Sequence, residues 1–152
     1  MLKNLYLIMG SSGSGKNFIA AKLESELNLQ RVISCTSRTR RDGEDENAYH
    51  FLTEEEILQD KSMLTLAKYA GNYYGARLAD IEKADLYIIE PEGVRMMLEY
   101  DFLSRPIKVI LLDVDRKDVA TNMSKRGDNK DAIEQEVLLR TKRFDRFIIY
   151  PC

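Results

Sequence analysis

"LYLIMGSSGSGKN", Leu5 to Asn17, sets an apolar run, a glycine- and serine-rich loop and a lysine in direct succession. Leu5 to Met9 is short, continuous and apolar, which suits a strand buried on both faces. Past the loop, Phe18, Ile19, Leu23 and Leu27 recur at helical spacing with the Lys22 stem among them, so a helix is expected over Lys16 to Leu27. A strand, a glycine loop and a helix are the context that the phosphate-binding pattern G-x-x-x-x-G-K-[ST] requires. Backbone N–H groups of Gly10, Ser11, Ser12, Gly13, Ser14 and Gly15 would cradle the phosphates of ATP, and the helix dipole would add positive potential. Lys16 would reach the β- and γ-phosphates. Asn17 departs from the pattern, because a hydroxyl ordinarily stands there to meet Mg2+. Its carbonyl oxygen is also a hard ligand, set one atom further out. Asn17 ligates the metal directly, holds a metal-bound water, or leaves the metal to the phosphates and other groups. In each case nucleotide binding is expected to survive better than rate.

Working outward, "RVISC" (Arg31 to Cys35) reads as a second strand, and "SRTRRDGEDENAYHF" as a polar loop returning to strand at Tyr49 to Phe51. Thr53 followed by Glu56 is a capping-box signature for a short helix. "LTLAKYAGNYYGA" reads as a hairpin with Gly71-Asn72 in its turn. Ala84 to Glu90 and Ile107 to Val114 are further buried strands, with a helix over Glu92 to Tyr100 between them. Helices over Asp115 to Lys125 and Lys130 to Phe144 flank the "KRGDN" turn, and "FIIY" (Phe147 to Tyr150) makes a final strand. Strands alternating with helices predict an α/β fold with a mostly parallel sheet flanked by helices. The hairpin region interrupts that alternation as a small lobe.

At 152 residues the chain is expected to form one domain. A formal charge of −2 argues against broad nucleic-acid binding, although it allows a local basic patch. Cys35, Cys152 and the single histidine, His50, make neither a zinc site nor a disulfide framework, and a reducing cytoplasm fits them. No signal peptide is expected, because "MLKNLYLIMG" runs straight into the glycine loop. No apolar run approaches the roughly 18 residues that a membrane span needs. The oligomeric state is not legible.

Behind the loop, "SCTSRTRRDGEDENAYHF", "GNYYGA" and "IIEPEGV" follow in that order, and this set resembles guanylate kinase over nearly the whole chain. The resemblance implies a P-loop NTPase-type core over about 1–36 and 80–152, an acceptor-binding lobe over about 37–79 and a helical lid over about 115–143. It also implies an acceptor-phosphate site from Ser34, Arg38, Arg41, Tyr49 and Tyr74. Arginine forks and phenol hydroxyls suit phosphate. Glu90 resembles the family's acidic residue beside acceptor and metal, and Arg126 a lid arginine over the donor phosphates. Lys16, Arg38 and Arg126 are thereby the expected catalytic residues. Arg140 and Arg143 are weaker candidates, and a second lid arginine of the family falls on Glu136. The activity implied is γ-phosphoryl transfer from ATP, with Mg2+, to the phosphate of a nucleoside monophosphate, GMP or dGMP by resemblance.

The base-reading positions differ. A glutamate and a Ser or Thr read guanine in the family, and Thr65 and Ala76 stand in their places. Thr65 can hydrogen-bond a base but cannot clamp two donors. Loss of these readers also suits an acceptor without a base, as in the related ribose bisphosphate phosphokinases, which carry an acidic residue where Asn17 stands. Guanylate-kinase-like scaffold domains that bind protein partners form a third reading. They typically lose the glycine loop, and this chain keeps it.

Overall fold

The computed structural model describes residues 3–99 and 105–144, with side chains through residue 138. β1 (Leu5–Gly10) is the middle of a three-stranded parallel sheet, between β6 (Leu86–Ile88) and β7 (Ile107–Leu112). Leu5, Leu7, Ile8 and Met9 are all buried, as a strand covered on both faces demands. Period-two alternation divides them. Leu7 and Met9 pack with Ile81, Val94 and Met97, whereas Ile8 packs with Ala20 and Leu86. The first set brings in α3 (Leu78–Lys83) and α4 (Pro91–Glu99), and the second brings in α1 (Lys16–Leu27), so helices lie on both sides of the sheet. This is the architecture of P-loop NTPases.

A second, four-stranded sheet runs in the order β3 (His50–Phe51), β2 (Cys35–Thr36), β5 (Asn72–Arg77), β4 (Met63–Tyr69). The strand expected over Arg31 to Cys35 is divided between the two sheets. Arg31 bridges to Leu86 and the Val32 N–H donates to the Leu86 carbonyl at the edge of the parallel sheet. Cys35 and Thr36 then pair with Gly75 and Tyr74 in the second sheet. Ile33 is exposed at the crossing, so the apolar run reflects two separate burials.

Around that sheet, α2 (Glu54–Gln59) carries the expected capping box. The Glu56 N–H donates to the Thr53 hydroxyl, and the Thr53 N–H donates to the Glu56 carboxylate. The hairpin turn sits one residue earlier than expected. Tyr69 pairs with Asn72, which leaves Ala70 and Gly71 as the turn, with φ of +48° and +81°. Two positive φ values in succession are those of a type I′ turn. Helix α3 was not legible, since Ile81 is its only buried position. α5 (Arg116–Lys125), capped by Asp115, and α6 (Lys130–Phe144), whose Ala132 N–H donates to the Asn129 side chain, form the helical pair flanking the Arg126 turn. The strand expected over Phe147 to Tyr150 and the side chains of Arg140 and Arg143 lie outside the described residues. Among the described residues no helix is long and apolar enough to cross a membrane.

Candidate active site

The loop leaves β1 at its carboxyl end, where ligands collect in parallel sheets. Gly13 takes a φ of +76°, and a Cβ there would lie 2.9 Å from both the Val119 carbonyl and the Met123 side chain. Glycine is required twice over, by the left-handed backbone and by the approach of α5. Lys16, the first residue of α1, folds its Nζ back to donate to the Gly10 and Ser11 carbonyls at 2.7 and 2.8 Å. Its charge is thus held over the loop. Asn17 follows, exposed at the mouth of a cavity of about 580 Å3 that the loop shares with the second sheet.

Helices α5 and α6 and the turn between them touch this loop. The Arg126 Nη2 donates to the Ser12 hydroxyl at 2.9 Å and also pairs with Asp128. The Asn122 amide donates to the Gly13 carbonyl at 2.9 Å. Glu136, the residue at the family's second lid arginine, is buried, and the Ser12 N–H donates to its Oε1 at 2.8 Å. The Tyr69 hydroxyl of β4 donates to its other oxygen.

Ser34, Arg38, Arg41, Tyr49, Thr65, Tyr74 and Glu90 all line the same cavity as the loop. Arg38 is fixed by Glu44, with Nη1 and Nη2 donating to the two carboxylate oxygens at 3.0 and 2.7 Å. Nη1 also donates to the Thr39 carbonyl at 2.8 Å. A guanidinium has five N–H groups, so these bonds leave Nε–H and the second Nη2–H on one edge of the fork. That edge has the spacing for bidentate phosphate binding. Burial alone would raise the Glu44 carboxyl, but the Arg38 side chain and the Arg41 N–H outweigh it and hold it below the usual range. The guanidinium stands over the Tyr49 and Phe51 rings at 5.5 and 5.7 Å, and Tyr74 meets Tyr49 edge-on at 6.3 Å. Burial, then the neighbouring Tyr74, pushes the Tyr49 phenol above its ordinary value.

Thr65 is buried on the cavity floor, where its hydroxyl lies 2.6 Å from the Tyr87 hydroxyl and accepts from the Ala76 N–H at 3.2 Å. The Tyr87 phenol, fully enclosed, is pushed well up by burial. Glu90 follows β6, half-buried at the start of α4. Sequence reasoning missed Glu44, Tyr69, Tyr87 and Asn122 as members of the site. Glu44 had a signal in the Gly43-Glu44 pair that follows Arg41. Tyr87 had none inside an apolar strand, and Asn122 none within a charged helix.

The fold, and a glycine loop with its lysine lining one cavity together with Arg38, Arg41, Tyr49 and Tyr74, are those of a P-loop phosphotransferase. The guanylate kinase family profile matches residues 2–143. A guanylate kinase of Prochlorococcus marinus strain MIT 9312 is 31% identical over 91% of this chain and 80% of its own length. One from Mycoplasmoides gallisepticum is 33% identical over 85% and 71%. The crystal structure of guanylate kinase from Anaplasma phagocytophilum shares the fold, with a TM-score of 0.59 and 22% identity over 94% of this chain and 89% of that one. The chain belongs to the guanylate kinase family and is a nucleotide kinase.

Proposed function

We propose that this protein transfers the γ-phosphoryl group of ATP to the phosphate of a nucleoside monophosphate, GMP or dGMP, in a reducing cytoplasm that suits the free thiol of Cys35. The observation that carries the reading is the free edge of the Arg38 fork, aimed by Glu44 within the cavity that also contains Lys16. Acceptor phosphate is held by Arg38 and Arg41 with Ser34, Tyr49 and Tyr74. Donor phosphates lie along the Gly10 to Gly15 amides. Lys16 leaves the Gly10 and Ser11 carbonyls to meet them, and Arg126, already on Ser12, neutralises charge at the transferring group. A phosphate oxygen is ionised at neutral pH, so no side chain removes a proton, and positioning with charge stabilisation suffices.

The donor set suits a lightly held Mg2+. Asn17 and Glu90 both line the cavity, and no cluster of three metal-ligating side chains exists among the described residues. Mg2+ keeps several waters and takes much of its coordination from substrate phosphates, where it spreads the charge of the transferring group. Asn17 and Glu90, which line the cavity, would hold that hydrated ion through its waters.

Thr65, engaged by Tyr87 and the Ala76 N–H, has at most one acceptor position to offer a base. Preference for GMP over AMP is therefore expected to fall far short of the roughly 10⁴-fold that a dedicated polar reader supplies. The test is ATP consumption with Mg2+ across GMP, dGMP, AMP, CMP, UMP, dTMP and ribose 1,5-bisphosphate, with a Lys16→Ala control. Acceptor-dependent turnover with GMP or dGMP that the control abolishes supports the reading. Turnover with ribose 1,5-bisphosphate alone, or ATP that never binds, would reject it.

A further inference from the structure

Glu136 is 2% exposed and joins three parts of the molecule at one carboxylate. It stands on α6, accepts from the Ser12 N–H of the phosphate loop at 2.8 Å, and accepts from the Tyr69 hydroxyl of the hairpin. A buried carboxylate is costly unless strong donors satisfy it, and the amides of a glycine loop at a helix N-terminus are such donors. The loop therefore already holds an anion, supplied by the chain itself. A donor phosphate arriving at Ser12 meets that anion, and one N–H cannot serve both.

We propose that Glu136 is a built-in competitor for the donor's phosphates, seated on Ser12 until the nucleotide displaces it. This rests on reading the loop as the donor site. Displacement has a second effect, because it releases the Tyr69 hydroxyl. The Tyr69 ring stands 6.4 Å from the ring of Tyr74, which belongs to the acceptor cage. Donor arrival on one wall is thereby communicated to the other. Donor affinity is set below what the loop alone would give, and Glu136 leaves its seat on Ser12 as the loop fills.

Calorimetric binding of ADP and of adenosine to the full chain tests this, using the wild type, Glu136→Gln and Tyr69→Phe. Glu136→Gln keeps the shape and removes the charge, so ADP should bind roughly ten-fold more tightly, the worth of one hydrogen bond to a charged group. Adenosine has no phosphate, and its affinity should not change. Tyr69→Phe removes one hydrogen bond that anchors the carboxylate and should give a smaller gain of the same sign, which serves even if the Gln variant does not fold. Equal or weaker ADP binding in a folded Glu136→Gln variant overturns the proposal alone, and so does unchanged binding in Tyr69→Phe. A wild type that binds no ADP, judged beside Lys16→Ala, overturns the donor-site reading and this proposal with it.

Discussion

Arg38 owes its pose to one carboxylate, and that dependence can be measured. Glu44→Gln preserves the shape of the pair but removes the charge that holds two of the five guanidinium N–H groups. A charge-assisted hydrogen bond of this kind is worth about 1.5 to 3 kcal/mol. The KM for the acceptor should rise roughly ten-fold or more, with the KM for ATP unchanged. A parallel rise in both constants would mean that Glu44 supports the whole cavity and does not aim Arg38. At this scale the sequence was informative wherever a residue type has one use. The loop lysine could be named from its motif, whereas Arg38 and Arg41 could be named only through the family resemblance, since a run of arginines in a polar loop reads by itself as a solvated surface. Glu136 and Tyr87 could not, because their roles come from where helix packing and a buried strand place them, and nothing in their neighbours along the chain marks it.

Secondary-structure elements were legible where local chemistry fixes them. The Thr53–Glu56 capping box depends on contacts three residues apart and formed as expected. Helix α1 spans the expected residues, but the face it buries is not the expected stripe: Ala20 is buried, while Phe18 and Leu27 are exposed. The hairpin turn was misplaced by one residue because Ala70, a poor choice for positive φ, occupies its first central position. A left-handed non-glycine residue costs roughly 1 to 2 kcal/mol, and asparagine bears it better than alanine. Ala70→Asn should therefore stabilise the protein by about 1 kcal/mol, seen as a higher urea midpoint with unchanged slope. At the other end of the same hairpin, Asp60 accepts from Ser62 and pairs with Arg77 at 2.8 Å. The Ser62 hydrogen bonds and then Arg77 bring its carboxyl down to about 2 from an ordinary value of 3.8. A depressed folded value stabilises at higher pH: the contribution is complete above about pH 4 and is lost as pH falls toward 2. Carbon-detected NMR titration should find the Asp60 midpoint near 2, and Asp60→Asn should flatten the fall of stability across that window. A midpoint near 4 would show that the Arg77 pairing does not persist in solution.

For the molecule as a whole, the parallel sheet and the helices α5 and α6 differ in how they are held. β1 is covered on both faces, whereas α5 and α6 meet the loop through polar contacts and a few side chains such as Val119 and Met123. Opening should follow that difference. In hydrogen exchange, β1 amides should open only with global unfolding, while the lid helices and the β4–β5 hairpin exchange sooner. ADP and GMP together should slow the lid and hairpin and leave β1 at its own rate. Protection that rises equally everywhere would indicate simple stabilisation without closure. The division of Arg31 to Thr36 between the sheets could not be read from sequence, since Val32 and Cys35 read as parts of one strand and only the paths of β5 and β6 decide which sheet each half joins.

The cavity wall also has an optical consequence. The chain contains eight tyrosines and no tryptophan, and Tyr49, Tyr69, Tyr74 and Tyr87 all line the one cavity described. Four of its tyrosines thus report on a single place, with no indole to outshine them. Native emission and difference absorbance will follow occupancy without any attached dye, and replacing each of the four phenols by phenylalanine in turn would resolve which wall a given nucleotide touches first.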